Sequence, residues 1–260
     1  MQSLSTLFVS HGSPTTIIER HSPARAFLAG LGDQFERPSA ILSVTAHWVT
    51  GVAKVGATET PETIHDFYGF PEELFQMTYP APGDAALAER VHGLLRSARI
   101  DTITDPERGL DHGTWAPLKL MYPEAEIPVA QLSVQRANAA HHVALGQALA
   151  PLRDEGVLIL GSGSTTHNLS EFSLTNRDVS PKAKDFDDWL GDRIWAGDRE
   201  ALINYRAEAP HAEWAHPTDE HLMPLYVAMG AAGEKAVGRV LHQGIEHGNI
   251  GMSAFAFNSP

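Results

Sequence analysis

Short runs of consecutive apolar residues alternate along this chain with longer stretches in which apolar residues recur every three or four positions. The runs Thr6–Ser10, Ala40–Ala46, Val52–Ala57, Ile127–Ser133, Val157–Gly161 and Gly251–Phe257 have the length and composition of strands. Their apolar character is continuous rather than alternating, so both faces are expected to be covered, as in a sheet with helices on either side. Helical spacing predicts helices over Pro23–Leu31, Asp84–Ala98, Thr114–Met121, Ala139–Arg153, Lys182–Trp195 and Asp219–Met229. In the second of these, Leu87, Val91, Leu94 and Leu95 share a face and Asp84 can cap the N-terminus. In the last, the helix starts just after Pro217 and puts His221 in its first turn, with the adjacent Glu220 expected to point elsewhere. The alternation implies an α/β fold: a central, mainly parallel or mixed β-sheet flanked by helices, in a single domain spanning residues 1–260. One stretch breaks the rhythm. Glu59–Pro82 is rich in proline and aromatic residues and longer than an ordinary connection, a length often found in binding loops.

Composition narrows the function classes. A hydrophobic content of 43% is ample for a core, and a charged fraction of 20% argues against disorder. Lys+Arg 19 against Asp+Glu 32 leaves a net charge of −13, which repels phosphate backbones and disfavours nucleic acid as a partner. No stretch approaches the roughly 20 apolar residues of a membrane span. The N-terminus runs straight into a strand without a charged leader, so a secretory signal is not expected. Cysteine is absent, which excludes disulfides, thiolate ligands and cysteine nucleophiles and fits a cytoplasmic setting.

Fourteen histidines are a high count. Five of them sit where an apolar run or a turn stops: His11, His47, His112, His167 and His221. An imidazole at the C-terminal end of a buried strand points into the crevice where α/β folds bind ligands. Several from distant parts of the chain suggest one cluster, and such a cluster suggests a divalent metal. His11 lies in SHGSP, where Gly12 and Pro14 enforce a tight turn; His47 lies in TAHW, with Trp48 beside it to exclude water. His216 and His221 are five residues apart, a poor spacing for two ligands on one helical face, and His221 is preferred. His11, His47 and His221 then make a three-imidazole set that leaves open positions. His167 and His112 remain for acid–base chemistry, and Asp111 is a candidate to orient a neighbouring ring. His65 is intermediate, and the other histidines read as structural or superficial. The run GSGSTTHN invites an anion-loop reading but lacks the lysine and the glycine spacing, so a turn that aims His167 fits better. No G-x-S-x-G elbow occurs, which disfavours a serine hydrolase.

SHGSP, TAHW, ETPETIHDFYGFP, YPAPG, LDHGTW, SGSTTHNL and PTDEHLMPL, in this order from about Leu7 to about Met252, resemble the DODA-type (4,5-DOPA) extradiol ring-cleavage dioxygenases of the class III, LigB-like group. The resemblance implies a non-haem Fe(II) enzyme that opens a catechol ring beside its two hydroxyls with O2, acting on DOPA or a related catechol; Zn(II) can occupy such sites. His11, His47 and His221 would be the metal ligands, His167 the acid–base, and His112 a residue that contacts or orients the substrate. The third ligand departs from the wider class, where a carboxylate accompanies two histidines. The expected partners are a small-molecule catechol and O2, with no nucleic acid and no membrane. Phe67, Tyr68, Phe70, Phe75 and Tyr79 of the long loop are candidates to stack on the ring or simply to pack the loop. Arg177 and Arg206 are considered for the carboxylate of an amino-acid catechol on their charge alone. A zinc hydrolase using the same three histidines, and a non-catalytic binding protein on this fold, are the competing readings.

Overall fold

The computed structural model describes residues 3–175 and 177–258. Its strands are β1 (Thr6–Ser10), β2 (Ala40–Thr50), β3 (Ala53–Gly56), β4 (Thr102–Asp105), β5 (Val129–Gln135), β6 (Val157–Gly163), β7 (Val237–His242), β8 (Ile245–Glu246), β9 (Ile250–Gly251) and β10 (Ala254–Asn258). Eight of them form one sheet in the order β4-β3-β5-β2-β6-β1-β10-β7, while β8 and β9 pair as a separate ribbon. The middle of the sheet, β5-β2-β6-β1, is parallel; the pairs β3·β5, β1·β10 and β10·β7 are antiparallel. The result is one α/β domain with a mixed sheet.

The continuous apolar runs have the expected cause. β1, β5 and β6 are buried at every residue, and successive side chains feed two cores on opposite faces. Phe8, Leu42, Val44, Leu132, Ile159 and Phe255 enter one core. Leu7, Val9, Ile41, Leu158, Leu160 and Ala256 enter the other. The first core is closed by helices Ala85–Ser97, Ala139–Leu149, Pro181–Ala196 and Met223–Ala231, and the second by Pro23–Leu31 and His112–Met121. Met223–Ala231 is buried on every side, which accounts for its lack of a polar face. None of these helices is long and apolar enough to cross a membrane.

Several boundaries differ from expectation. The last helix begins at Met223, not Asp219, because Pro224 stands in its first turn. Proline has no N–H to bond back to the carbonyl of Glu220, which favours a helix start after that residue. His221 therefore lies in the turn ahead of the helix. β2 continues to Thr50, past the expected Ala46, and the C-terminal strand starts at Ala254 rather than Gly251. β4 and β7, at the two edges of the sheet, were not expected, and neither were the short helices Arg199–Ile203, Tyr205–Glu208 and Ala212–Ala215.

His142 is a core histidine. Its Nδ1–H faces the Asn138 carbonyl at 2.9 Å and its Nε2 accepts from the Gln135 amide at 3.2 Å, an arrangement only the neutral ring can make. Burial lowers its pKa to about 4. The unfolded chain, with an ordinary histidine, binds the proton first, so the stability held above pH 6.5 drains away as pH falls from there toward 4. The slope from this group is about 1.4 kcal/mol per pH unit. Urea unfolding of chelator-treated protein between pH 7 and 4.5 should show this loss, and His142→Asn should lower the slope by about 1.4 kcal/mol per pH unit, the other buried histidines keeping the rest; an unchanged slope in the variant would refute the assignment.

Candidate metal centre

Each histidine of the cluster is delivered by a local departure from regular structure. β2 pairs with β5 through Thr45↔Ser133 and then Val49↔Val134, so Ala46, His47 and Trp48 lie opposite no residue of β5. This bulge turns His47 out of the sheet at the end of the parallel strands. His11 follows β1 directly, its amide bonded to the Gly163 carbonyl at 3.0 Å. The next residue, Gly12, has φ +69, a left-handed conformation that favours glycine. His112 opens the helix His112–Met121. His167 lies just beyond β6, with its amide bonded to the Ala215 carbonyl at 2.8 Å.

The GSGSTT run serves His221 as much as His167. The His221 carbonyl rests on Gly163, where a Cβ would come within 2.0 Å of it, and accepts the Ser164 amide at 2.9 Å. The amides of Ser164, Thr165 and His167 are all used inside the protein, so the turn does not cradle an anion.

The side chains converge through their Nε2 atoms. His47 Nε2 lies 3.0 Å from His11 Nε2 and 3.3 Å from His221 Nε2. Two ligands each about 2.1 Å from one ion, at angles between 90° and tetrahedral, would be about 3.0–3.4 Å apart. The opposite nitrogen of each ring is tied to an acceptor. His47 Nδ1 faces Asp66 Oδ2 at 3.2 Å, and His221 Nδ1 faces Glu220 Oε1 at 3.0 Å. His11 Nδ1 lies 3.0 Å from Ser162 Oγ, whose own hydrogen goes to the Gly113 carbonyl, so Ser162 accepts from the ring. Each ring thus carries its hydrogen on Nδ1 and presents an electron pair at Nε2, the tautomer a metal needs. His112 follows the same rule, with Nδ1 2.9 Å from Asp66 Oδ1. His11, His47 and His112 also offer donor atoms within 4.8 Å of one another.

Asp66 therefore holds two rings and also accepts the His112 amide at 2.9 Å. Burial opposes its charge, but hydrogen bonds from His112 and His47 outweigh that and hold its pKa far below the usual carboxylate range. The imidazoles are pushed toward neutrality. Burial, then the charges of His47 and His112, take His11 well below its ordinary value. Burial and the neighbouring His167 and His47 do the same to His221. Burial lowers His112 too, against the pull of Asp66.

His167 differs from the others. Its ring stacks on His221 with centroids 3.4 Å apart and planes 10° from parallel, and no side-chain hydrogen bond ties it among the described residues. Burial, then His216 and His47, lower its pKa to about 3. It faces a cavity of about 330 Å³, which His11, His47 and His112 also line. The remaining walls are mainly apolar: Phe67, Tyr68 and Phe70 from the long loop, with Leu169, Phe172 and Ile250. Phe75 and Tyr79 instead pack beneath the loop, the Tyr79 hydroxyl donating to the Tyr122 carbonyl at 3.1 Å.

Other expectations need correction. Glu220 does not point away: with the helix starting later, its carboxylate meets His221. Asp111 orients no ring. It is buried among Thr45, Arg108 and Gln131, and it braces the His47 bulge through Thr45 Oγ1, which accepts the His47 amide at 3.1 Å. His65 bonds to the Met77 carbonyl and His216 to the Thr165 carbonyl, outside the cluster. Arg206 pairs with Asp219, and Arg177 lines a different cavity. Asp66 was missed altogether, although it stands next to His65 in TIHDFYGFP; a carboxylate within the one long aromatic loop was the available signal.

Residues 6–258 match the family described as the catalytic LigB subunit of aromatic ring-opening dioxygenase. The chain is 45% identical over 258 residues to a 4,5-DOPA dioxygenase extradiol of Beta vulgaris, covering 98% of this chain and 96% of that one. It is 40% identical over 256 residues to a 4,5-DOPA dioxygenase extradiol of Escherichia coli K12, covering 96% and 93%. A crystal structure of an uncharacterized Escherichia coli K12 protein superposes with a TM-score of 0.81 at 35% identity, over 97% of this chain and 99% of that one.

Replacing Asp66 by asparagine tests the anchoring. An amide offers one acceptor where two Nδ1–H groups need one each, so one ring must give up its tautomer. Asp66→Asn is expected to weaken metal binding about 10- to 100-fold with little change in the far-ultraviolet dichroism. Wild-type affinity by competition with a chelator would show that the carboxylate does not set the tautomers.

Proposed function

This chain belongs to the LigB family of aromatic ring-opening dioxygenases, and we propose that it opens a catechol ring beside the two hydroxyls, with both atoms of O2 entering the product. The observation that carries this reading is the set of three Nδ1-anchored imidazoles in which His47 Nε2 lies 3.0 Å from His11 Nε2 and 3.3 Å from His221 Nε2, beside an apolar cavity that His11 and His47 line. We assign His11, His47 and His221 as the ligands of one divalent metal. The set suits Fe(II), which redox chemistry with dioxygen requires, and it accepts Zn(II) as well. When bound, the iron lowers the pKa of the two substrate hydroxyls and brings ring and dioxygen together.

The chain's own groups supply the rest. The aromatic walls from Phe67, Phe70 and Phe172 suit a flat ring and keep water from the floor. His167, whose ring nitrogens have no side-chain partner, takes the proton from a substrate hydroxyl and later returns it to a departing oxygen. Stacking on His221 fixes its plane while leaving its edge free. His112 keeps Nδ1–H on Asp66 and turns Nε2 to the cavity, where it accepts a hydrogen bond from the second hydroxyl. The names of the relatives support a DOPA-like catechol with 4,5-extradiol cleavage as the first substrate to try. The absence of cysteine supports a cytoplasmic setting.

Protein loaded anaerobically with Fe(II) and given L-DOPA should consume one O2 per ring and yield a yellow ring-opened product, whereas zinc-loaded protein should not. Full iron occupancy without uptake on L-DOPA, caffeate or protocatechuate would overturn the reading and favour a zinc hydrolase. Two variants separate the roles. His47→Ala should lose metal, while His167→Ala should keep metal and lose about 100-fold or more in kcat. Near wild-type turnover in His167→Ala would remove it from the chemistry.

A further inference from the structure

Glu19, Glu246 and His247 meet outside the three-histidine cluster, in a second cavity of about 510 Å³. Each offers one ligand atom, and these atoms lie within 4.8 Å of one another. Glu246 stands at the end of β8, where one carboxylate oxygen accepts Ser22 Oγ at 2.6 Å and the Ala24 amide at 3.4 Å. Its other oxygen is buried with no hydrogen-bond partner. Glu19 accepts Thr15 Oγ1 at 2.5 Å through the oxygen that faces His247. His247 is 2% exposed, and neither of its ring nitrogens has a hydrogen-bond partner. Its Nε2 lies 3.5 Å from Glu19 Oε1, close enough for charge attraction but outside good hydrogen-bond geometry.

Buried polar atoms without partners are rare, and an unpartnered Glu246 oxygen beside an unpartnered His247 ring calls for a common occupant. We propose that Glu19, Glu246 and His247 form a second divalent-cation site. Protonation of His247 would answer one orphan by pairing with Glu19, yet it would leave the second Glu246 oxygen unpaired. A cation answers both residues at once. Two carboxylate oxygens and one imidazole suit a first-row ion such as Zn²⁺ or Mn²⁺. Arg20 and Arg177 line the same cavity and oppose a cation there, so the site depends on both carboxylates.

The site is tied to the wall of the catalytic cavity. Thr15, bonded to Glu19, belongs to the turn Pro14–Ile17, and Ser13 and Pro14 line that cavity. Phe172, also in the wall, packs on His247 with centroids 5.4 Å apart. Ile250, a third wall residue, pairs with Glu246 across the ribbon. An ion here would brace the wall from behind. The inference does not rest on the ring-opening reading.

Equilibrium dialysis of chelator-stripped protein against Zn²⁺, with metal counted by atomic emission, tests it. The wild type should bind two equivalents. Glu19→Gln and Glu246→Gln should each weaken one equivalent at least tenfold and keep the other. His47→Ala should show the reverse, losing the equivalent that the glutamate variants keep. Glu19 lies near the surface, so its variant is expected to fold even if that of Glu246 does not. Failure of both Glu19→Gln and Glu246→Gln to weaken any bound equivalent would overturn the proposal, whatever the three-histidine centre binds.

Discussion

On the proposed assignment, the imidazole electron pairs of His11, His47 and His221 would repel one another until a cation joins them, so the rings have to be held in place beforehand. The protein holds them from behind, through the nitrogen that the ion does not use. Ser162, Asp66 and Glu220 each take the Nδ1 hydrogen of one ring and so fix both its tautomer and its plane. Burial keeps protons off His11 and His221, and the electron pairs stay available near neutral pH. The bulge in β2, the left-handed Gly12 and the bare backbone of Gly163 are explained by this demand. Each breaks a regular element at the point where a ring must leave it.

The anchors also share a hierarchy. Asp66 serves two rings and is itself oriented by the His112 amide, at the start of a helix whose first residue is that histidine. Asp111, one residue earlier, turns inward and stiffens the His47 bulge through Thr45. Two neighbouring carboxylates thus act in opposite directions, one toward the rings and one toward the strands beneath. A largely apolar cavity wall lies above these hydrogen bonds.

Much of this was legible in the chain. Continuous apolar runs reveal strands covered on both faces, and a histidine at the end of such a run has one place to go, the crevice above the sheet. All five histidines picked out on that basis lie in or beside the cluster. Asp66 was not legible, because the loop that carries it has no periodicity and its partners, His47 and His112, are remote in sequence. Glu220 was misread because a helix was drawn through it; Pro224, four residues on, was the overlooked sign. The edge strands β4 and β7 escaped because each has a largely uncovered face and so lacks the apolar signature of the central strands.

The position of β1 has a consequence for how the molecule is made. β1 lies between β6 and β10, with Leu7 beside Leu160 on one side and Thr6 beside Phe257 on the other. Both partners lie far along the chain, β6 at Val157–Gly163 and β10 at Ala254–Asn258. Pairings of such long sequence separation form slowly and late. His11, at the end of that strand, is thus placed by pairings of long sequence separation. A metal at this centre would therefore bind a folded sheet rather than a local peptide motif.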